Sequence, residues 1–184
     1  MATLIYSPLV SLDGYLVDAE GRFDWAAPDV EVHSFINQRM RPIGTHLYGR
    51  RLYETLKVWD KEQPPGAHPV AREYAEIWQP ADKIVYSRTL EAVDTAHTRL
   101  ERDFDPEAVR KLVASTDRDL LIGGADLASH AFKAGLIDEV HLYLSQILVG
   151  GGRRALPDGV RLELSLLEEH RFTDGTVFVR YKRR

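Results

Sequence analysis

The sequence contains no cysteine among its 184 residues. That absence excludes disulfide bonds, thiolate catalysis and metal centres held by cysteine. The chain also lacks any run of about 20 consecutive apolar residues, the length that a membrane-spanning helix needs. No basic stretch followed by an apolar run occurs at its start, so we expect no secretory signal peptide. These absences predict a cytoplasmic protein without membrane contact.

An excess of positive charge is missing as well: 24 basic side chains accompany 28 acidic ones, for a formal net charge of -4. A mildly acidic chain lacks the broad positive field that non-specific nucleic-acid binding requires, so nucleic acid is not an expected partner. The seven histidines show no spacing typical of metal ligands, and no metal site is predicted. With 44% apolar and 28% charged residues, the chain fits one soluble globular domain over residues 1–184.

Strand-like and helix-like segments alternate along the chain as far as about residue 149. Strands are predicted at residues 4–10, 45–49, 83–87, 99–103, 119–122 and 140–144. Helices are predicted at residues 32–40, with Asp29 or Pro28 as the start, and at 51–56, 71–79, 107–115 and 126–134; loops are predicted at 11–25 and 61–70. An Asp174-Gly175 turn between short apolar runs predicts a C-terminal antiparallel hairpin. The expected fold is therefore α/β, with a mostly parallel central sheet covered on both faces.

Gly123 and Gly124 lie between a predicted buried strand and a predicted helix. Without side chains, two glycines let a phosphate approach the backbone, and the helix N-terminus offers unpaired N–H groups and a positive dipole end. The same turn could serve tight packing alone. The three spaced glycines of the Rossmann dinucleotide motif are absent, so an ordinary Rossmann site is disfavoured.

Two other predicted strand ends carry arginine. Gly49 is followed by Arg50 and Arg51 at the start of a helix, where positive charge opposes the helix dipole and a bound anion would relieve the conflict. Ser87 and Arg88 end another strand, and a hydroxyl beside a guanidinium suits a phosphate group. A solvated basic corner and an ordinary turn are the respective alternatives. Together the three strand ends predict a cofactor with a pyrophosphate and one further phosphate.

These segments resemble the dihydrofolate reductase superfamily and, among its branches, the family of RibD C-terminal domains. The motifs that carry the resemblance are Ser11-Leu12-Asp13-Gly14, Gly49-Arg50-Arg51-x-Tyr53-Glu54, Ile84-Val85-Tyr86-Ser87-Arg88 and Ile122-Gly123-Gly124-Ala125. The resemblance implies a three-layer fold with a reversed C-terminal strand, NADPH as cofactor and a homodimer.

The resemblance also implies which residues meet the cofactor. They are Gly14, Gly49, Arg50, Arg51, Ser87, Arg88, Gly123, Gly124, Ala125, Asp126 and Leu127. In this arrangement Ser87 and Arg88 hold the 2′-phosphate, which selects NADPH over NADH. The loop at residues 11–25 covers the nicotinamide and the substrate.

Substrate contacts are predicted from the same loop and from the first helix. Asp13 is the first candidate for a catalytic residue that orients substrate or water, although an Asp-Gly pair also forms ordinary turns. Trp25 either stacks on a substrate ring or belongs to the rim of the site. Asp29 and Glu31 are second candidates for substrate contact, and each could instead stabilise the start of the helix.

The chain departs from the family pattern at two points. Leu52 stands where the family commonly has threonine, and no acid falls cleanly on the position that contacts the pterin in dihydrofolate reductases. The predicted function is an NADPH-dependent reductase of a small heterocyclic substrate, most similar to the 5-amino-6-(5-phosphoribosylamino)uracil reductase of riboflavin biosynthesis or to a dihydrofolate reductase. The alternative is a non-catalytic NADP(H)-binding module or an oligomeric sensor.

Overall fold

The computed structural model describes residues 2–184, which contain eleven strands and five α-helices. The strands are β1 Leu4–Tyr6, β2 Leu9–Ser11, β3 Tyr15–Val17, β4 Ile43–Gly49, β5 Asp82–Tyr86, β6 Thr98–Glu101, β7 Asp119–Gly123, β8 Glu139–Ser145, β9 Arg153–Arg154, β10 Leu164–Arg171 and β11 Val177–Arg183. The α-helices are α1 Val30–Met40, α2 Arg50–Leu56, α3 Pro69–Trp78, α4 Pro106–Ser115 and α5 Ala125–Lys133. Two 3-10 helices span Asp24–Ala26 and Lys57–Asp60.

Nine strands form one sheet in the order β10-β11-β8-β1-β7-β4-β5-β6, with β2 also paired to β8. The six strands from β8 to β6 in this order run parallel to their neighbours. Strand β11 runs antiparallel to both β8 and β10, which forms the predicted C-terminal hairpin. In the hairpin turn Gly175 has a φ of +93°, a conformation that favours glycine. The predicted mostly parallel sheet with an antiparallel hairpin is confirmed.

Helices cover both faces of the central strands. Because successive side chains of a strand point to opposite faces, Leu4 and Tyr6 of β1 pack in the cluster that holds Ala128 of α5. Ile5, between them, packs in the cluster that holds Val32 of α1. A third cluster lies under α2 and α3 and consists of Tyr48, Tyr53, Trp78 and Val85. Burial on both faces explains why the central strands have nearly continuous apolar sequences.

The predicted first strand at residues 4–10 is wrong in one respect, because the structure divides it into β1 and β2. Pro8 lies between the two and has no backbone N–H to donate to a ladder. Strand β1 pairs with both β7 and β8, whereas β2 pairs with β8. The chain therefore leaves its position beside β7 at the proline.

Other corrections concern the ends of elements. The predicted loop at residues 11–25 contains β3 and a 3-10 helix, because β3 pairs with β9 from a distant part of the chain. Helix α3 begins at Pro69, two residues before the prediction, since proline suits the first turn of a helix. Helices α2 and α5 each begin one residue earlier than predicted, directly after Gly49 and Gly124.

Within residues 2–184, no helix has the length and apolar composition required to cross a membrane. The same residues contain no group of three or more histidine, aspartate or glutamate side chains arranged to hold a metal ion.

Candidate functional site

The glycine and arginine motifs meet at one edge of the sheet. Strands β7, β4 and β5 are neighbours and parallel, so their carboxyl ends lie side by side. In the register of the sheet, Gly123 pairs with Tyr48, and Gly49 pairs with Tyr86, which directly precedes Ser87. Ligands of open α/β sheets bind at this edge. The structure therefore brings the three predicted phosphate-binding segments together.

Gly124 forms the N-terminal boundary of α5. Its φ of +92° is strained for any residue with a side chain, which accounts for glycine at this position. A Cβ placed there would lie 3.9 Å from the backbone nitrogen of Gly49, so the two glycine turns are close neighbours. No side chain caps the start of α5. Its first N–H groups are therefore available to a phosphate, and the helix dipole favours the negative charge.

Leu52, the residue that departs from the family pattern, packs against Gly123. A Cβ at position 123 would lie 2.4 Å from Cδ2 of Leu52, which is closer than atoms can approach. Leu52 thus fills the space above Gly123 with apolar atoms. Glycine at 123 therefore leaves room for the Leu52 side chain, and its predicted contact with a cofactor stays a prediction.

The arginines at this edge are exposed and only weakly engaged. Arg50 donates hydrogen bonds to Glu54 at 2.8 Å and to Thr89 Oγ1 at 3.0 Å. Arg88 donates to Asp103, and both side chains of that pair are largely exposed. Exposed ion pairs contribute little free energy. These guanidinium groups can therefore exchange their partners for a phosphate at small cost.

Ser87 shapes the turn that carries Arg88. The buried Ser87 hydroxyl accepts hydrogen bonds from the backbone N–H groups of Thr89 at 3.3 Å and of Leu90 at 3.0 Å. Arg102 donates to the carbonyl oxygen of Ser87 at 3.1 Å. Because a hydroxyl carries one proton of its own, Ser87 retains a donor for a ligand.

Two further arginines near the start of α5 were not predicted. Strand β9 consists of Arg153 and Arg154 and pairs with β3, which lies in the loop at residues 11–25. Arg153 forms an ion pair with Asp126 in the first turn of α5, and the guanidinium of Arg154 lies 5.5 Å from the ring centre of Tyr15. The sequence did contain a pattern that could have indicated them, because two arginines follow a glycine here just as Arg50 and Arg51 follow Gly49.

Asp13 lies in the turn after β2. Its carboxylate accepts hydrogen bonds from the backbone N–H groups of Val149 at 3.2 Å and of Gly150 at 2.8 Å. A hydrogen bond from the Ser11 side chain, together with these N–H groups, lowers the pKa of Asp13. The carboxyl group is therefore ionised at neutral pH. Its predicted role in orienting a substrate stays a prediction.

A cleft of about 210 Å³ opens beside the predicted substrate residues. It lies beside the first residue of β2, the last residue of β8 and the start of α1. Trp25 forms part of its wall, and the indole N–H donates to the carbonyl oxygen of Arg22 at 3.2 Å. The lining residues are Leu9, Trp25, Ala26, Ala27, Pro28, Val32, Ser145, Gln146, Ile147, Asp174 and Thr176. The structure thus places Trp25 where a ring can stack on it, and its contact with a substrate stays a prediction.

Asp29 and Glu31 border this cleft, but both carboxylates already have partners. Asp29 caps α1 by accepting the backbone N–H of Val32 at 2.8 Å. Glu31 accepts from the backbone N–H of Thr173 at 3.0 Å and from its hydroxyl, and the Thr173 hydroxyl chiefly holds the pKa of Glu31 below its usual value. Both residues support the walls of the cleft, and direct contact with a substrate stays a prediction.

Comparison with known proteins identifies the family of this chain. Residues 2–178 match the family of RibD C-terminal domains. The uncharacterised protein YyaP of Bacillus subtilis (strain 168) is 30% identical over 185 residues, which cover 97% of this chain and 93% of YyaP.

Solved structures share the fold at lower identity. A putative riboflavin biosynthesis protein from Shewanella sp. PV-4 has a TM-score of 0.76 and 22% identity, covering 100% of this chain and 99% of that chain. A Thermotoga maritima diaminohydroxyphosphoribosylaminopyrimidine deaminase/5-amino-6-(5-phosphoribosylamino)uracil reductase has a TM-score of 0.66 and 19% identity, with coverage of 100% and 57%. Dihydrofolate reductase from Enterococcus faecalis, complexed with NADP(H), has a TM-score of 0.68 and 12% identity, with coverage of 99% and 96%. The fold is therefore dihydrofolate reductase-like, and by its match over residues 2–178 the chain belongs to the family of RibD C-terminal domains.

Proposed function

We propose that this protein is an NADPH-dependent reductase of a small heterocyclic substrate. The observation that carries the proposal is the uncapped N-terminus of α5, which lies beside Gly49 at an edge that also presents Arg50 and Arg88. Proteins commonly bind phosphate through backbone N–H groups and through arginine guanidinium groups, which can donate two parallel hydrogen bonds. The reductases among the structural relatives, one of them complexed with NADP(H), support the same cofactor.

Each segment has a part in this proposal. The start of α5 and the Gly49 turn bind the pyrophosphate, with Arg50 and Arg51 beside it. Ser87 and Arg88 bind the 2′-phosphate and so exclude NADH. The chemistry that NADPH supplies when bound is a hydride from C4 of its nicotinamide, which together with one proton from solvent saturates a C=N or C=O bond of the substrate and leaves NADP⁺. The protein's task is to position the acceptor and exclude water.

A second candidate function is a non-catalytic NADP(H)-binding module. The observation that favours it is that Asp13, Asp29 and Glu31 all accept hydrogen bonds from backbone N–H groups. Asp174, the acid that lines the cleft, likewise accepts from the backbone N–H and the hydroxyl of Thr176, so each of these carboxylates already has a partner. Both candidates predict binding of NADPH. Only the reductase predicts that a substrate accelerates the oxidation of NADPH to NADP⁺, which is followed by the absorbance of the reduced nicotinamide.

Thermal unfolding in the presence of NADPH, NADP⁺ and NADH tests the cofactor assignment. At about 100 times the dissociation constant, a ligand of the folded state adds about 2.7 kcal/mol, which raises the melting temperature by roughly 5–10 °C for a domain of this size. We expect this rise with NADPH and little with NADH. Arg88→Ala should abolish the preference for NADPH, whereas Arg72→Ala, an exposed arginine on α3, serves as the matched control. No rise with any nucleotide would refute the proposal.

A further inference from the structure

The edge proposed to bind the cofactor and the cleft proposed to bind the substrate differ in charge. Arg50, Arg51 and Arg88 follow the strands at the cofactor edge. Of the eleven residues that line the substrate cleft, drawn from residues 2–184, none is lysine or arginine, and the single charged one is Asp174. A site for a phosphorylated substrate would show the opposite, because a phosphate monoester carries between one and two negative charges and requires cationic or N–H partners.

The border of the cleft is acidic. The chain segments at residues 22–32 and 171–176 contain four acids, Asp24, Asp29, Glu31 and Asp174, and two arginines. One of these arginines, Arg22, is already paired with Asp18 at 2.9 Å and with Glu20 at 3.2 Å. A cleft lined and bordered by carboxylates attracts positive charge and repels anions.

The nearest helix N-terminus provides no anion site either. Helix α1 begins beside the cleft, and the carboxylate of Asp29 already accepts the N–H of Val32. A phosphate at this position would have to displace a side chain of the protein itself. This contrasts with α5, whose start has no side-chain cap. Of these two helices, α5 therefore offers its N-terminus to a phosphate, whereas the start of α1 is occupied by Asp29.

The polar groups that remain in the cleft are neutral. Ser145, at the carboxyl end of β8, presents a hydroxyl, and Gln146 donates its amide N–H to the carbonyl oxygen of Asp174. A Cβ at position 175 would lie 2.4 Å from Oε1 of Gln146, so Gly175 makes room for this side chain. A hydroxyl and an amide suit the carbonyl and amino edge of a heterocycle, and Trp25 offers a surface for its face.

The size of the cleft sets a further limit. Its volume of about 210 Å³ lies below the range of about 300–1,000 Å³ typical for drug-sized ligands. One or two fused rings with a short side chain match that space. Resting on the proposed function, we infer that the substrate is an uncharged or protonated heterocycle that carries no phosphate group. The chain therefore differs in substrate from a reductase of phosphoribosyl compounds.

Matched ligand pairs test this inference. The probes are 5-amino-6-(ribosylamino)uracil with its 5′-phosphate, and a dihydropterin with a hydroxylated side chain together with its phosphate ester. Binding of each to the NADP⁺-loaded protein is measured by calorimetry, and NADPH oxidation is measured in parallel. We expect the unphosphorylated member of at least one pair to bind at least 10-fold more tightly than its phosphate. Equal or tighter binding of the phosphates, or binding of none of the four compounds, would overturn the inference.

A charge introduced into the cleft provides a second test. Ala27→Arg places a guanidinium at the lining and should reduce the preference for the unphosphorylated compound at least 5-fold. Glu76→Arg adds positive charge on the exposed side of α3 and should leave the preference unchanged. The absence of stabilisation by NADPH would refute the proposed function, whereas NADPH binding combined with a preference for phosphorylated compounds would refute this inference alone.

Discussion

The carboxylate of Asp13 accepts a hydrogen bond of 2.8 Å from the backbone N–H of Gly150, which lies 137 positions further along the chain. Neighbouring backbone bonds reinforce this contact: Leu12 donates to Ile147 at 2.8 Å, and Ala155 donates to Gly14 at 2.9 Å. The loop after β2 and the loop after β8 are therefore joined into one unit. Any role of the first loop in covering a ligand depends on its attachment to the second.

Asp13→Ala should weaken the attachment of the loop after β2 to the loop after β8. Removing the carboxylate leaves the N–H groups of Val149 and Gly150 without their acceptor, and we expect their amide hydrogen exchange to accelerate at least 10-fold. NADPH turnover should fall in parallel, because the cover of the site loses its order. Asp117→Asn, at an exposed turn before β7, is the control. Unchanged exchange at both amides would show that Asp13 does not hold the loops together.

Acid should destabilise the protein through His46. This residue is fully buried on β4, and neither ring nitrogen has a hydrogen-bond partner among the described residues. Burial, followed by the charges of Lys83 and Arg118, lowers the pKa of His46 to about 3. An unfolded histidine takes up a proton near pH 6.5. Between about pH 6.5 and pH 3 the unfolded state therefore binds more protons, and stability should decrease by about 1.4 kcal/mol per pH unit as the pH falls.

Urea unfolding between pH 7 and pH 4 measures this slope. His46→Phe, or His46→Leu if phenylalanine does not fit, should reduce this slope by up to about 1.4 kcal/mol per pH unit, the contribution of one proton. His130→Gln alters an exposed histidine on α5 and should leave the slope unchanged. An equal slope in the wild type and both His46 variants would contradict the assignment to His46.

A buried ion pair on β8 and β11 should be sensitive to the loss of one partner. Arg180 donates to both oxygens of Glu139, at 2.7 Å and 3.0 Å, and Nε2 of His141 lies 2.9 Å from the same carboxylate. Burial alone would raise the pKa of Glu139, but the bonds with Arg180 and His141 outweigh it and the pKa is lowered. Arg180→Met would leave a buried carboxylate uncompensated. We expect a loss of about 2–3 kcal/mol at pH 7, less than for a fully buried pair because Arg180 is partly exposed.

Denaturant unfolding of the double variant separates the charge from the packing. Adding Glu139→Gln to Arg180→Met removes the uncompensated charge and should restore at least half of the lost stability. If the double variant is less stable than Arg180→Met, the carboxylate is not the source of the loss.

Gly123 and Leu52 should show mutual dependence. Gly123→Ala introduces a methyl group 2.4 Å from the Leu52 side chain and should cost about 1–3 kcal/mol through overpacking. Leu52→Ala combined with Gly123→Ala should cost less than the sum of the two single changes. Additive costs in thermal unfolding would indicate that the two side chains do not compete for the same space.

Most of the fold could be predicted from the sequence, because the sequence patterns that indicate strands, helices and turns are local. Apolar periodicity located the strands and helices, and the turn at Gly175 located the hairpin. The meeting of the glycine and arginine turns was also predictable, since Gly49 and Gly123 each end a strand of the same parallel sheet, and parallel strands end at one edge. Pairing of β3 with β9 was not predictable, because two strands of three and two residues carry too little periodicity.

The roles of individual acidic residues were harder to predict from the sequence. Glu31 stands at the start of a helix, and its sequence context suits substrate contact as well as dipole stabilisation. Its actual partner, Thr173, is 142 positions away, and only the tertiary fold brings the two together. The same holds for Asp13 and Gly150. The predicted homodimer, the cytoplasmic location and the substrate contacts stay predictions.

The break at Pro8 divides the carboxyl edge of the sheet into two arms. On one arm β2 continues beside β8, whose last residue, Ser145, lines the cleft; on the other, β7, β4 and β5 end at the glycine and arginine turns. The arms are joined at β1, which pairs with both β7 and β8, and by side chains of both arms that pack in one core cluster, such as Leu121 of β7 and Tyr143 of β8. In the proposed function the cofactor and the heterocycle bind to different arms, so a change in the angle between the arms would alter the distance between hydride donor and acceptor. The alignment of the two reactants would then depend on the rigidity of the central strand and of the core packed against it.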